Sequence, residues 1–190
     1  MTQPDPAPDL APAPLVRPAR LTDAAEIARV QVASWRTTYR GMVPDDYLDG
    51  MKVEEHAVRW VRLLREPAHL QLTFVAETAE GVVGFAMGGR EREDDRRFLG
   101  ELYAIYLLRE AQGRGYGRAL VEAVARGLVR RRLTSMLVWV LRDNVRARGF
   151  YERLGGVFLR EHELDFGAGF TVIEVSYGWD DVRGKLTASQ

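Results

Sequence analysis

Apolar positions change period along this chain, and each change marks an element. A short apolar stretch at 15–17 reads as a first strand. Thr22 then stands where a helix N-cap is wanted, ahead of Ile27, Val30 and Trp35 at helical spacing, and Gly41 is the expected stop. Pro44 and Asp45 start a short helical turn through Tyr47 and Leu48. Residues 53–65 form a second amphipathic pattern, with Val58, Val61 and Leu64 expected inward and Pro67 closing it.

From there the apolar runs shorten. Residues 70–77 and 82–88 flank Glu80-Gly81 and read as a hairpin, followed by a charged stretch at 90–97 that reads as a solvated loop. A strand at 99–108 leads into an amphipathic helix at 115–131. A strand at 136–141, a helix at 145–154, and a closing antiparallel pair at 157–164 and 170–177 complete the order. Helices therefore interrupt a mixed sheet, an α/β (α+β) arrangement. One domain is expected over 15–179, with a Pro- and Ala-rich lead-in at 1–14 that reads as disordered and unlike a secretory signal, and a tail at 180–190.

Composition narrows the function classes. The 190 residues are 46% hydrophobic, enough for a single real core. With 27 basic and 27 acidic side chains, no bulk field holds the chain on nucleic acid or an anionic membrane. The arginines at 126, 130, 131 and 132 sit at a helix C-terminus, where the dipole favours them without a partner. The absence of cysteine excludes disulfides, a cysteine nucleophile and a thioester on the enzyme. His56, His69 and His162 lack metal-ligand spacing and read as structural or exposed, so no metal is expected. No apolar run approaches the ~18 residues of a spanning helix, and a soluble cytoplasmic protein is expected.

The chemistry is concentrated in Gln112-Gly113-Arg114-Gly115-Tyr116-Gly117, between the strand at 99–108 and the helix that follows. A helix opening at glycines presents bare N–H groups and the positive end of its dipole, a socket for phosphate or pyrophosphate. A dinucleotide fingerprint fails here. Its third small residue falls on Arg118 counting from Gly113, or on Leu120 counting from Gly115. A P-loop fails too, since the only lysines are Lys52 and Lys185.

What fits is Gln-x-x-Gly-x-Gly over Gln112, Gly115 and Gly117, and a second motif agrees with it. Residues 144–155, from Asn144 through Ala147, Phe150, Tyr151 and Glu152 to Gly155, have the form N-x-x-A-x-x-F-Y-E-x-x-G. In both motifs the sequence resembles the GCN5-related N-acetyltransferases (GNAT), and the order of strands and helices that the likeness implies runs over roughly 15–179, nearly the whole chain. The likeness implies a mixed, mostly antiparallel sheet of about six to seven strands flanked by about four helices, with acetyl-CoA as donor.

The resemblance also implies roles. Backbone N–H groups between Gly113 and Arg118 would take the pyrophosphate, Gly115 and Gly117 being least tolerant of a side chain, with Arg114 and Arg118 either adding charge or merely solvated. The pantetheine arm would lie along the free backbone of Ile105, Tyr106 and Leu107. Tyr151 resembles the acid that protonates the departing sulfur, the Leu107 N–H would support the oxyanion, and Asn144 would either contact the pantetheine or cap its helix. For the base, strand parity places Glu101 on one face with Tyr103, Ile105 and Leu107, a surface ion pair being the alternative. One departure stands out. The family usually has an aromatic after the Leu-Gly that ends the second motif, and this chain has Gly156, with Phe158 two positions on.

For the acceptor, Trp35 and Tyr39 form an i, i+4 pair in a segment, 35–44, similar to one that walls the acceptor cleft in a broad acetyltransferase subgroup; helix packing explains them equally well. A primary amine, on a small molecule or a peptide N-terminus, is the expected acceptor. The rivals are a non-catalytic acyl-CoA sensor or structural subunit, and a nucleotide-binding regulator. The oligomeric state is open, a homodimer included.

Overall fold

The computed structural model describes residues 15–187, so the lead-in expected at 1–14 lies outside the described residues. The first half runs β1 (Leu15–Pro18), α1 (Ala24–Thr38), α2 (Asp45–Gly50), α3 (Val53–Arg65), β2 (Leu72–Thr78) and β3 (Gly81–Arg90). The second runs β4 (Gly100–Leu107), α4 (Tyr116–Arg130), β5 (Met136–Leu141), α5 (Val145–Arg153), β6 (Val157–Asp165), β7 (Thr171–Trp179) and α6 (Val182–Lys185). The sheet order is β1-β2-β3-β4-β5-β7-β6. Every neighbouring pair is antiparallel except β4 and β5. The mixed, mostly antiparallel sheet and the four longer helices α1, α3, α4 and α5 agree with the expectation.

The sheet is covered on both faces. On one, α4 lays Leu120, Val124 and Leu128 against Leu102, Val138 and Val175. On the other, Ile27, Val30 and Trp60 from α1 and α3 pack on Val75 and Phe85. A third cluster joins Val32, Leu48 and Met51 to Leu141 and Val172 at the far end of that second face.

Three local expectations need correction. Thr22 does not cap α1. Asp23 accepts the Arg20 N–H at 2.6 Å, and the chain makes a 3-10 turn over Leu21–Asp23 before the helix begins. Val58 is 64% exposed, because the buried stripe of α3 is set by Trp60, whose ring centroid lies 4.9 Å from that of Phe85. Two residues along a helix is about 200°, so Val58 faces the opposite way. Residues 181–187 of the expected tail are not loose: Val182 and Leu186 are fully buried in the α4 cluster, and the Val182 N–H donates to the Thr134 carbonyl at 2.9 Å.

The join of β4 and β5 shapes everything that follows. They pair only through Gly100–Leu102 and Met136–Val138, then part. On the other edge of β4, Leu102 opposes Gly88 and Ala104 opposes Met87, which leaves Tyr103 as an unpaired bulge residue. The bulge breaks the alternation of faces. Leu102, Ile105 and Leu107 all lie in the α4 cluster, whereas Ala104 and Tyr106 lie in the α1 cluster.

Candidate active site

The parting of β4 and β5 opens a cleft of about 1320 Å³ that runs through the sheet from the α4 and α5 side to the α1 and α2 side. At its first end, Gly115 adopts the left-handed conformation at φ 85° and caps α4, with no side chain covering the helix's first N–H groups and no acidic residue in its first turn. Gly117 is close-packed. A Cβ there would lie 3.3 Å from both Leu107 and Phe150. Gly113, at φ 77°, needs glycine for its backbone alone, since nothing stands within 4 Å of a Cβ.

The other residues predicted at this end divide. Gln112 borders the cleft, but its side-chain amide donates to the Leu107 carbonyl at 3.1 Å, so it ties the glycine turn to the end of β4. Arg118 borders the cleft and leans 3.6 Å from Glu122. Arg114 is exposed, and the Tyr116 ring packs on the α4 cluster. Asn144 caps α5, its Oδ1 accepting from the Ala147 N–H at 3.1 Å. Arg109, Arg146 and Arg153 also line this region, which makes it a basic mouth.

Ile105, Tyr106 and Leu107 form the β4 wall of the cleft. The Leu108 N–H donates to Val83 on β3, so alternation along the ladder turns the Leu107 and Ile105 N–H groups to the opposite edge, where β5 has diverged. A hydrogen-bonding edge thus faces the opening. The Leu107 carbonyl is already taken by Ser34 and Gln112, which fixes the strand end.

Tyr151 is 4% exposed and lines the cleft from the α4 side. Burial pushes its phenol well above the ordinary tyrosine value, so it stays protonated. The position behind it resolves the Gly156 departure. A Cβ on Gly156 would lie 2.8 Å from the Trp179 ring, and Trp179 stands edge-on to Tyr151 at a centroid distance of 6.3 Å, its indole N–H donating to the Leu154 carbonyl. The aromatic packed behind Tyr151 comes from β7, and glycine makes room for it.

The far end is aromatic and acidic. Trp35 and Tyr39 meet edge-on at 5.0 Å, and Tyr106, Tyr47 and Phe166 surround Trp35. The pair is therefore both packed and cleft-lining. Burial pushes the Tyr39 phenol up to about 12. Glu101 is 2% exposed, and Arg92 donates to both its oxygens, from Nε at 3.0 Å and from Nη2. Because of the Tyr103 bulge, Glu101 sits on the face opposite Leu102, and so opposite Ile105 and Leu107, contrary to the parity expectation. The 90–97 stretch is likewise more than a solvated loop, since it delivers Arg92 to this carboxylate.

Three residues of this end escaped sequence reasoning. Register pairs His162 with Glu174 across β6 and β7, and Glu174 with Leu141 across β7 and β5. The His162 Nε2 lies 3.6 Å from a Glu174 oxygen, and Trp139 stacks on the imidazole at 4.0 Å. His162, expected to be structural or exposed, therefore belongs to the cleft. Burial raises the Glu174 carboxyl above its ordinary value; His162 works against that shift, and Glu93 and Glu101 reinforce it. Period-2 alternation in β6 and β7 gives their face, but only the β5-β7-β6 order brings them to the cleft. No group able to hold a metal ion is found among the described residues.

A glycine-capped helix start, a strand edge facing a gap and a through-sheet cleft are the features that the sequence resemblance to an acyltransferase class led us to expect. The model of the acetyltransferase (GNAT) family matches residues 32–156, and the chain belongs to that family and is an acyl-CoA-dependent acetyltransferase. It is similar to the N-acetyltransferase YuaI of Bacillus subtilis, 39% identical over 173 residues, covering 90% of this chain and 96% of that one. A mycothiol acetyltransferase of Rhodococcus erythropolis is 31% identical over 155 residues; the match covers 72% of this chain and only 51% of that protein's length. Among solved structures, the PaiA N-acetyltransferase of Thermoplasma acidophilum in complex with coenzyme A shares the fold at a TM-score of 0.69 with 18% identity, over 88% of this chain and 99% of that one. The YncA protein of Salmonella typhimurium with acetyl-CoA does so at 0.64 with 16% identity, over 94% and 97%. Among the described residues no helix is long and apolar enough to cross a membrane.

Proposed function

We propose that this protein transfers the acetyl group of acetyl-CoA to a primary amine, on a small molecule or a peptide N-terminus, by direct attack while both substrates are bound. The observation that carries the reading is the through-sheet cleft, basic at the α4 mouth and acidic and aromatic at the α1 end. An anionic donor and a cationic acceptor are each drawn to their own side. The donor side fits the cofactor. Bare N–H groups at Gly115 to Arg118 suit a pyrophosphate, a side chain at Gly117 would crowd Leu107 and Phe150, and the Ile105 and Leu107 edge suits an amide-bearing arm. When bound there, acetyl-CoA supplies the thioester.

Each chemical task then falls to a placed group. The Leu107 N–H, held by the anchored end of β4, faces the gap where carbonyl oxygen charge develops. Tyr151 keeps its proton and offers it to the leaving sulfur; its raised proton affinity favours hydrogen-bond donation over full ionisation. Glu101, with both oxygens on Arg92, acts as a fixed negative charge at the acceptor end. The packing of Trp179 behind Tyr151 supports a catalytic reading over a non-catalytic sensor. Isothermal titration with acetyl-CoA, followed by thiol release against an amine panel, tests the reading. Micromolar binding with amine-dependent release of CoA is expected, and binding without release above background would overturn it.

A further inference from the structure

The acceptor end holds a carboxylate that the reaction as described leaves idle. Glu174 lies on the cleft face of β7, its side chain 19% exposed, between Leu141 on β5 and His162 on β6. Unlike Glu101 it has no guanidinium on its oxygens; its one charged neighbour within ion-pair distance among the described residues is His162, whose Nε2 at 3.6 Å is too far for a good hydrogen bond. The imidazole is held flat by the Trp139 ring, and the Trp139 indole N–H is buried without a hydrogen-bond partner among the described residues. The wall thus carries a carboxylate with no guanidinium on it, an imidazole beside it and a buried indole donor without a partner.

We propose that Glu174 receives the acceptor's ammonium group and takes up the proton that nitrogen must lose before it attacks. The inference rests on the amine-transfer reading above. An alkylammonium ion has no lone pair, so one N–H bond must break first, its proton passing to the Glu174 carboxylate. The freed lone pair forms the N–C bond, the C–S bond breaks with its pair on sulfur, and the second proton of the nitrogen ends on that sulfur through Tyr151. One proton rests on Glu174 until product release returns it to solvent and one stays on CoA, so the exchange balances.

The surroundings suit this use. Glu93 from the loop after β3, Glu101 from β4, and Tyr106 and Tyr39 from β4 and α1 are the charged and titratable groups whose fields meet Glu174, besides His162. The nearby guanidinium groups are committed elsewhere, Arg92 to Glu101 and Arg160 to Asp95 with its plane over Trp139, so an incoming ammonium ion suits the Glu174 carboxylate. Burial already raises the Glu174 carboxyl, which makes it a better proton acceptor than a solvated carboxylate.

The test compares two probes that share a benzyl group: benzylamine, an ammonium ion at neutral pH, and O-benzylhydroxylamine, longer by one oxygen and neutral there. Glu174→Gln should lower kcat/KM for benzylamine ~100-fold and for O-benzylhydroxylamine by less than about threefold. Calorimetry should show benzylamine binding to the CoA-bound protein weakened about tenfold, with acetyl-CoA affinity unchanged as the control for folding. Equal losses with the two probes, or benzylamine binding unaltered by the substitution, would overturn the proposal, as would a wild type that binds no benzylamine. A wild type that binds both acetyl-CoA and benzylamine yet releases no CoA sinks the transfer reading instead, and the calorimetric comparison still decides whether Glu174 is the ammonium site.

Discussion

Gly156→Ala places one methyl group in the tightest spot behind the proposed acid. The new carbon would stand 2.8 Å and 3.2 Å from two atoms of the Trp179 ring and 3.0 Å from the Tyr151 carbonyl oxygen. Reaching an ordinary 3.4 Å contact requires a movement of about 0.6 Å, and neither neighbour yields freely. Trp179 is fully buried and pinned by its bond to Leu154, while the Tyr151 carbonyl accepts the N–H groups of Gly156 at 2.9 Å and Leu154 at 3.1 Å. Overpacking of this kind costs about 1–3 kcal/mol, or about 2–12 °C in Tm for a domain of this size. Because the displaced atoms carry Tyr151, kcat should fall about tenfold while acetyl-CoA affinity holds. Urea denaturation measures the first effect and thiol release the second. Trp179→Phe removes the ring carbons that clash, so the double variant should be less destabilised than the sum of the singles by about 1 kcal/mol. Additivity within about 0.5 kcal/mol, or a Gly156→Ala protein as stable and as fast as wild type, would refute the reasoning.

Other outcomes follow from the same contacts. Tyr151→Phe should reduce kcat ~100-fold with acetyl-CoA affinity within about twofold, read by steady-state kinetics and calorimetry. Gly115→Ala forces a side chain into the left-handed region at φ 85°, at about 1–2 kcal/mol, and should weaken acetyl-CoA about tenfold by calorimetry. The hydrogen bonds from Arg17 hold the Asp23 carboxyl below its ordinary value, with the Arg20 N–H adding to the effect. A depressed carboxyl stabilises the fold above the unfolded-state value and loses that contribution as pH falls through the folded one. Melting temperature should therefore drop below about pH 4, and the drop should be shallower in Asp23→Asn.

The parts of the fold and site that were legible in the sequence are those written in local chemistry. Period changes marked the strands and helices, and the glycines at 113, 115 and 117 announced the turn and the helix start that follows it. What stayed hidden depends on pairing across the sheet. Strict alternation put Glu101 with Ile105 and Leu107, and one unpaired residue, Tyr103, reversed it. Gly156 looked like a gap because its filler, Trp179, lies 23 residues further on. Val182 and Leu186 are too few to reveal a buried face until the groove beside α4 is seen. His162 and Glu174 face the cleft only because β7 inserts between β5 and β6.

The slot between β4 and β5 has a consequence for selectivity. Tyr151 and the glycine turn stand on one side of it, and Trp35, Tyr39 and Glu174 on the other, around one continuous space. With the arm on the β4 edge as proposed, an acyl group longer than acetyl would grow toward the aromatic wall. Every carbon added to the donor is then taken from the room left for the acceptor. Acyl length and acceptor size become a single trade. Variants that shave Trp35 or Phe166 should widen both preferences together, and a bulky acceptor should hold the protein to the shortest acyl group.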